Sequence, residues 1–312
     1  MQGSDIFIGI DLGGTQLRVA AITGQGVILE QRKMLTDSAR GYRAIVADMQ
    51  RACLSLVQAH RVAGIGVIAP GPLDAVNGVV HAQPTLPDWD AVPLKAMLEA
   101  EFKVPVRLEN DANGAALGEA LLGAGRGYAS VFYITVSTGV GGGFVYKQQL
   151  ISGAHNCAGE IANMIISEEG PDSDVLNRGA LESLTSGTAL GRQARAWCLT
   201  GAAELLTRAE PRARFVAHLS SGVANVIHTL NPDIIVMGGG VMNSQALFWD
   251  ALQRQTDEKL YPYLRGKTHF ALAALDGNAG IVGAALLARQ CQEEARIHSH
   301  SEYQHVGMSL SR

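Results

Sequence analysis

Charge is scarce in this 312-residue chain. Asp, Glu, Lys and Arg make up 17% of it, against ~25% in an average soluble domain, so much of the chain is expected to lie in an interior or an interface. The net charge is −4 and no basic stripe interrupts it, which argues against nucleic acid as a partner. No apolar run approaches the ~18 residues of a membrane span. Residues 1–5 carry neither a basic region nor a cleavage site, so a cytoplasmic protein is expected. The four cysteines, Cys53, Cys157, Cys198 and Cys291, form no Cys-x-x-Cys pair. That pattern excludes a zinc knuckle and a disulfide framework and fits reduced thiols.

Glycine, by contrast, is abundant and clustered. Asp11-Leu12-Gly13-Gly14-Thr15 follows the β-rich run 6–10, and Ser137-Thr138-Gly139-Val140-Gly141-Gly142-Gly143 follows the run 131–136. Glycine lets backbone approach a bulky anion, and consecutive N–H groups form a concave anion site. Two such turns, more than a hundred residues apart, suggest two domains gripping one phosphate chain. After Thr15 the pattern is again strand-like, whereas a dinucleotide fold needs strand, glycine turn and helix. A Walker A loop is excluded too: Gly266-Lys267-Thr268 has the right ending, but Tyr261 stands where its first glycine belongs.

Along the chain, residues 6–10, 17–23 and 27–34 read as strands, and Ile45, Val46, Met49, Cys53, Leu56 and Val57 mark an amphipathic helix over about 42–59. Strands at 64–69 and 105–108 follow, the first closed by Pro70-Gly71-Pro72, and a helix over 115–122. The second half repeats the theme, with strand, turn and strand over 131–146, helices around 180–197 and 212–230, a strand at 233–237 closed by three glycines, and a small-residue helix at 279–288. The polar tail holding His298, His300 and His305 reads as a solvated terminus. A weak internal repeat of this kind predicts an α/β protein of two similar lobes with a cleft between them.

Single residues keep two readings each. Asp11 heads a phosphate turn, where a carboxylate belongs only if a cation intervenes, or else it caps its own turn. Asp111, at a strand end, is either a base in a cleft or the N-cap of the following helix, and Asn113 can supply that cap as well.

Taken in order, Asp11-Leu-Gly-Gly-Thr15, Glu109-Asn-Asp-Ala-Asn113, Ser137-Thr-Gly-Val-Gly-Gly-Gly143, Ala158-Gly-Glu-Ile161, Leu181-Glu-Ser183 and Leu230-Asn-Pro-Asp-Ile-Ile-Val-Met-Gly-Gly-Gly-Val241 resemble the ROK family (repressors, open reading frames, sugar kinases). The resemblance runs from residue 6 to about 288. It implies two actin-like (RNase H-like) lobes with an interdomain cleft. One lobe is residues 1–119, completed by a C-terminal helix at about 280–312, and the other is residues 120–279. It further implies ATP-dependent phosphorylation of the 6-hydroxyl of a hexose, glucose-type or β-glucoside, by a homodimer. Asp111 becomes the catalytic base. Asn110, Glu160, Glu182, Asn163, Thr85 and Gly71 become sugar-site residues. Asp11, Gly13, Gly14, Thr15, Thr138 and Gly139 become phosphate-side residues, with Gly239 and Gly240 on the adenosine side and Mg²⁺ held near Asp11 through water. The alternative is a sugar-binding regulatory protein, sensor or repressor-like, without significant catalysis. The first phosphate strand starts by Ile6, so no DNA-reading module is expected ahead of it.

Two departures from the family pattern stand out. Where typical members read Gly-Glu-Ile-Gly-His and then a cysteine-rich zinc segment, this chain reads Gly159-Glu160-Ile161-Ala162-Asn163, and residues 167–179 contain no cysteine. With neither imidazole nor thiolate, no structural zinc is expected, and the loop is expected to be held by packing. Thr85 stands where many members have Asn. Both changes are expected to touch the sugar pocket and to leave the phosphate turns and Asp111 alone.

Overall fold

The computed structural model describes residues 5–83 and 85–309. The chain divides into two compact units. The first comprises the residues up to Gly118 and those from Asn278 onward, and the second is Glu119–Gly277. The chain therefore crosses from one unit to the other twice.

In the first unit, β1 (Ile6–Leu12), β2 (Gln16–Thr23) and β3 (Ile28–Leu35) form an antiparallel meander. β4 (Val62–Ala69) lies parallel to β1. A small hairpin of β5 (Leu73–Asp74) and β6 (Val79–Val80) follows, and β7 (Val106–Asn110) runs parallel to β4, giving the sheet order β3-β2-β1-β4-β7. Both faces are covered, which is why β1 and β4 read as near-continuous apolar runs instead of alternating ones. One face carries Ile8, Ile10, Leu12, Leu17 and Val19 against Ile45, Met49, Cys53 and Leu56 of α1 (Gly41–Ala59). α2 (Leu94–Phe102) buries Leu94 and Leu98 in the same core. The other face receives the terminal helix Ala279–Ser309. Its backbone lies so close that a Cβ on Gly66 would stand 1.7 Å from the Ala284 carbonyl oxygen, and one on Gly9 would stand 2.3 Å from that of Ile281. Helix α3 (Asp111–Leu122) meets the terminal helix the same way, through Gly114 and Gly283. Small residues in the terminal helix are thus a packing requirement. The side chains of His298, His300 and His305 lie outside the described residues.

The second unit repeats the plan. β8 (Ser130–Val136), β9 (Val140–Tyr146) and β10 (Gln149–Leu150) form the meander, with β11 (Ile234–Gly238) parallel to β8 and β12 (His269–Leu272) parallel to β11. The order β10-β9-β8-β11-β12 matches the first sheet position for position, and each unit is an actin-like lobe. The core gathers Phe215, Leu219, Val223 and Ile227 along one face of α7 (Ala209–Leu230) with Phe132, Ile134 and Ile235 of the sheet. Asn231 ends that helix in the left-handed conformation, its N–H donating to the Ile227 carbonyl, with Pro232 next.

The helix expected around 180–197 is two helices, α4 (Leu181–Thr185) and α5 (Gly187–Ala196), because Ser186 is extended (φ −65°, ψ 160°) and its Oγ caps α5 by accepting from Ala189 N–H. α2, α6 (Ala202–Thr207), α8 (Trp249–Lys259) and β12 escape the hydrophobic pattern. In α8 only Leu252 and Thr256 are buried, so its sequence carries little periodicity. Among the described residues, no helix is long and apolar enough to cross a membrane.

Candidate active site

The first glycine turn closes the β1–β2 hairpin, and Gly13 N–H donates to the Gln16 carbonyl at 2.9 Å. In this structure the Gly13 amide, expected on the phosphate side, is engaged within the turn. The carbonyls of Gly13 and Thr15 are both held by Thr36, a buried residue just past β3. Thr36 Oγ1 donates to Gly13 O at 2.6 Å and Thr36 N–H to Thr15 O at 2.9 Å. In a planar trans peptide the N–H points opposite to the C=O, so pinning Gly13 O turns the Gly14 N–H away from Thr36. Sequence gave no sign of Thr36, whose part depends on the return of β3.

Asp11 does not cap its own turn. Its carboxylate is paired with the Arg18 guanidinium, with Nε 2.9 Å from Oδ2 and a second guanidinium nitrogen on the same oxygen. The antiparallel register sets Asp11 opposite Arg18. A cation does stand beside the carboxylate, and here it is an arginine. One carboxylate heading a glycine turn also fits Mg²⁺, which is usually held by waters, phosphate oxygens and one or two carboxylates.

Thr85 corrects another expectation. It lies against the first glycine turn, expected from the sequence to be left alone by the change to Thr: a Cβ on Gly14 would sit 2.4 Å from Thr85 Cβ. Its Oγ1 accepts from Gln83 Nε2 at 2.8 Å.

Asp111 is the first residue of α3, directly after β7. Its Oδ1 and the Oδ1 of Asn110 both accept from Ala112 N–H, at 2.8 and 2.9 Å. Gly71 borders Asn110, with its Cβ position 3.6 Å from Asn110 Nδ2. Beneath the pair sits Glu109, 1% exposed, whose Oε1 accepts from Asn110 N–H (2.9 Å) and Asn113 Nδ2 (3.0 Å). Asn113 is therefore a helix-interior residue bound to a buried carboxylate and not the alternative N-cap.

In the second unit the second turn is fixed from behind in the same manner. Ser137 N–H donates to Gly139 O (2.8 Å), and the carbonyls of Ser137 and Thr138 accept from Gly187 N–H (2.6 Å) and Thr188 N–H (3.3 Å) at the start of α5. The break at Ser186 is what presents those two amides. By the same peptide geometry the N–H groups of Thr138 and Gly139 point away from α5. Glu182 Oε2 accepts from Val140 N–H at 2.8 Å. Glu160 lies close enough to Glu182 for its carboxyl to be held above the usual carboxylate value, first by loss of solvent and then by Glu182's negative charge.

A cavity of about 640 Å³ within this unit runs from Ser137 and Thr138 past Arg195 to Gly240, Asn243 and Ser244. It joins two glycine turns the sequence had singled out separately. Gly239 has φ 92° and packs on the end of β8, its Cβ position 2.4 Å from Val136 O, so no side chain fits there. Arg195, Asn243 and Ser244 reach the cavity from a helix face and a 3-10 turn, and no local pattern announces them.

Asn163 Oδ1 accepts from Asn177 N–H at 2.6 Å, which ties the cysteine-free loop to Asn163. Ile166 N–H donates to Gly179 O (3.0 Å) and Leu181 N–H to Met164 O (2.9 Å), around a bridge between Ile165 and Ala180. Backbone hydrogen bonds, the Asn163 amide and the Ser167 and Ser173 hydroxyls hold the loop, while Met164 and Ile166 beside it pack on the core. The loop's donor set, an already engaged amide oxygen and no thiol, does not fit a structural zinc ion.

Comparison with known proteins agrees with this architecture. The family model for the ROK family matches residues 7–291. The chain is 31% identical to a glucokinase of Thermotoga maritima over 91% of its own length and 97% of the relative's. It is 26% identical to the xylose repressor of Bacillus spizizenii over 88% of its length and 75% of the repressor's. Among solved structures, the ROK hexokinase from Thermus thermophilus superposes with a TM-score of 0.84 at 30% identity, covering 93% of this chain and 99% of that one. A ROK family glucokinase from Streptomyces griseus, in complex with glucose and AMPPNP, gives 0.75 at 28% identity, covering 91% and 99%. With its two matched sheets, its paired glycine turns and a family match over nearly its whole length, the chain belongs to the ROK family.

Proposed function

We propose that this protein is an ATP-dependent kinase that phosphorylates the 6-hydroxyl of a hexose, either a free glucose-type sugar or a β-glucoside. The observation that carries the reading is the matched construction of the two glycine turns. Each has its carbonyls tied back, to Thr36 in one unit and to Gly187 and Thr188 in the other, which directs amides to one side where phosphate oxygens would be met. Similarity to glucokinases and to a structure holding glucose and AMPPNP supports it.

In this reading the first unit supplies the base and the second the sugar-facing carboxylates. Asp111 accepts the proton of the primary hydroxyl as its oxygen attacks the γ-phosphorus and ADP departs. Asn110, Glu160 and Glu182 orient the sugar through hydrogen bonds to its hydroxyls, with Gly71 leaving room beside Asn110 and with Asn163 and Thr85 shaping the borders. The amides of Gly14, Thr15, Thr138 and Gly139 hold phosphate oxygens, and the cavity reaching Gly240 takes the nucleoside. Mg²⁺ near Asp11 supplies charge neutralisation when bound. Most of the rate enhancement then comes from alignment and electrostatics. A cytoplasmic homodimer belongs to the same reading.

The test is a coupled ADP-release assay across free hexoses, N-acetylhexosamines and β-glucosides. Wild-type protein is expected to release ADP only when a sugar is present, and Asp111→Ala is expected to lose about 10²–10⁴-fold in turnover. Near wild-type turnover in Asp111→Ala overturns the assignment of the base. Sugar binding without any ADP release favours the regulatory reading, which the likeness to a xylose repressor keeps in view.

A further inference from the structure

Glu182 occupies a position that sugar binding alone does not explain. Its Oε2 accepts from Val140 N–H at 2.8 Å, directly after the glycine turn. Gly139 is open only to hydrogen on that side, since a Cβ there would stand 2.6 Å from the same oxygen. The other anchors of the turn, Gly187 N–H and Thr188 N–H, lie five and six residues further along the chain. Ser186, which exposes those amides by breaking the helix, donates its own N–H to the Glu182 carbonyl at 3.1 Å. The front and the back of the turn are thus held by one short span of chain, 182–188, and the only side chain in that span bonded to the strand after the turn is Glu182. Glu160 lies near enough to feel the Glu182 charge, which helps hold its own carboxyl above the usual value.

Resting on the kinase reading above, we propose that Glu182 is a positioning residue for the phosphate turn as well as a sugar-facing carboxylate, so that it couples the two substrate subsites. A sugar hydroxyl bound to the carboxylate fixes its orientation, and Oε2 passes that order to Val140 and the turn. Reciprocity follows from linkage: whatever factor the sugar adds to nucleotide affinity, nucleotide adds to sugar affinity. A residue serving the sugar alone leaves the affinity for nucleotide measured without sugar unchanged when it is altered. A residue that holds the turn does not.

The experiment is calorimetric titration of a non-hydrolysable ATP analogue, with Mg²⁺ and without sugar, into the full-length protein and three variants. Glu182→Ala removes the acceptor and is expected to weaken binding about tenfold, the scale of one charge-assisted hydrogen bond. Glu182→Asp keeps the charge but draws it back from Val140, and is expected to weaken binding similarly. Glu182→Gln keeps a carbonyl oxygen at the right reach and is expected to stay within about threefold of wild type. The order Gln above Asp and Ala supports the proposal, and it survives failure of the alanine variant to fold because the other two decide it. Equal affinity in all folded variants, or Asp binding better than Gln, overturns it. Wild-type protein that binds no nucleotide overturns the kinase reading itself, a distinct outcome. As a second readout, repeating the wild-type and Gln titrations with saturating 6-deoxyglucose is expected to raise affinity in wild type and to do so less in Glu182→Gln; a rise of the same size in both counts against the coupling.

Discussion

Replacing Glu119 by alanine removes the acceptor for three backbone amides at once. Glu119 is fully buried on α3. Oε2 accepts from Ala124 N–H at 2.9 Å, and the two oxygens accept from Ala274 and Leu275 N–H at 3.0 Å, across 155 and 156 residues of sequence. Glu119 begins the second unit, and Ala274 and Leu275 lie just before its end at Gly277, so this carboxylate ties together the two stretches by which the chain enters and leaves that unit. Each amide left without a partner costs about 1–3 kcal/mol. Three such amides would cost about 3–9 kcal/mol, and water entering the cavity recovers part of that loss. About 4 kcal/mol is therefore expected for Glu119→Ala, a drop of about 8–16 °C in the midpoint of a unit this size at 2–4 °C per kcal/mol. Glu119→Gln keeps one carbonyl oxygen for Ala274 and Leu275 but turns an NH₂ toward the Ala124 N–H, so about 2 kcal/mol is expected, between wild type and alanine. Urea unfolding followed by far-ultraviolet circular dichroism, without nucleotide, measures both. Glu119→Ala within about 1 kcal/mol of wild type, at unchanged m-value, refutes the reasoning.

Two further outcomes follow from the same contacts. Asn163→Ala is expected to open the 167–179 loop to limited proteolysis, while Asn163→Asp, which keeps an acceptor for Asn177 N–H, protects it; EDTA is expected to leave the wild-type midpoint unmoved, and stoichiometric zinc by elemental analysis contradicts the metal-free account. Glu160→Gln is expected to stabilise the free protein at neutral pH. The Glu160 carboxyl is held above its ordinary value in the folded state, by desolvation and then by Glu182, so the folded protein binds its proton more tightly than the unfolded chain does. Ionisation then costs stability as pH rises from the ordinary glutamate value through the raised one. The gain from Glu160→Gln appears above that window and vanishes below it, and thermal midpoints recorded from acid to neutral pH that show no such trend exclude the like-charge contact.

Much of the frame was legible in the residues themselves. β1, β2, α1, β4 and β8 lie within a residue or two of where period and glycine punctuation placed them, because each buries a dense apolar face whose pattern survives in one dimension. α8 and β12 were invisible because their burial is slight and their pattern correspondingly thin. Ser186 broke an expected helix since a serine mid-run signals a cap only when something awaits the amides it frees, here the carbonyls of Ser137 and Thr138.

At the candidate site, sequence singled out the two glycine turns, Asp111 and its neighbours, since glycine-rich turns and strand-end carboxylates leave local signatures. Sequence also determined that the loop after Asn163 lacks the ligands for zinc, because ligand chemistry is a property of residue type alone. Tertiary structure decided which groups those signatures meet. Thr36 reaches the first turn from a strand end more than twenty residues away, Arg18 meets Asp11 through hairpin register, Thr85 falls on Gly14, and Glu182 joins the second turn. The division has a physical cause: conformational preference is set by a residue and its neighbours in the chain, whereas the partner of a hydrogen bond or ion pair is set by which distant segments the packed core brings within about 3 Å.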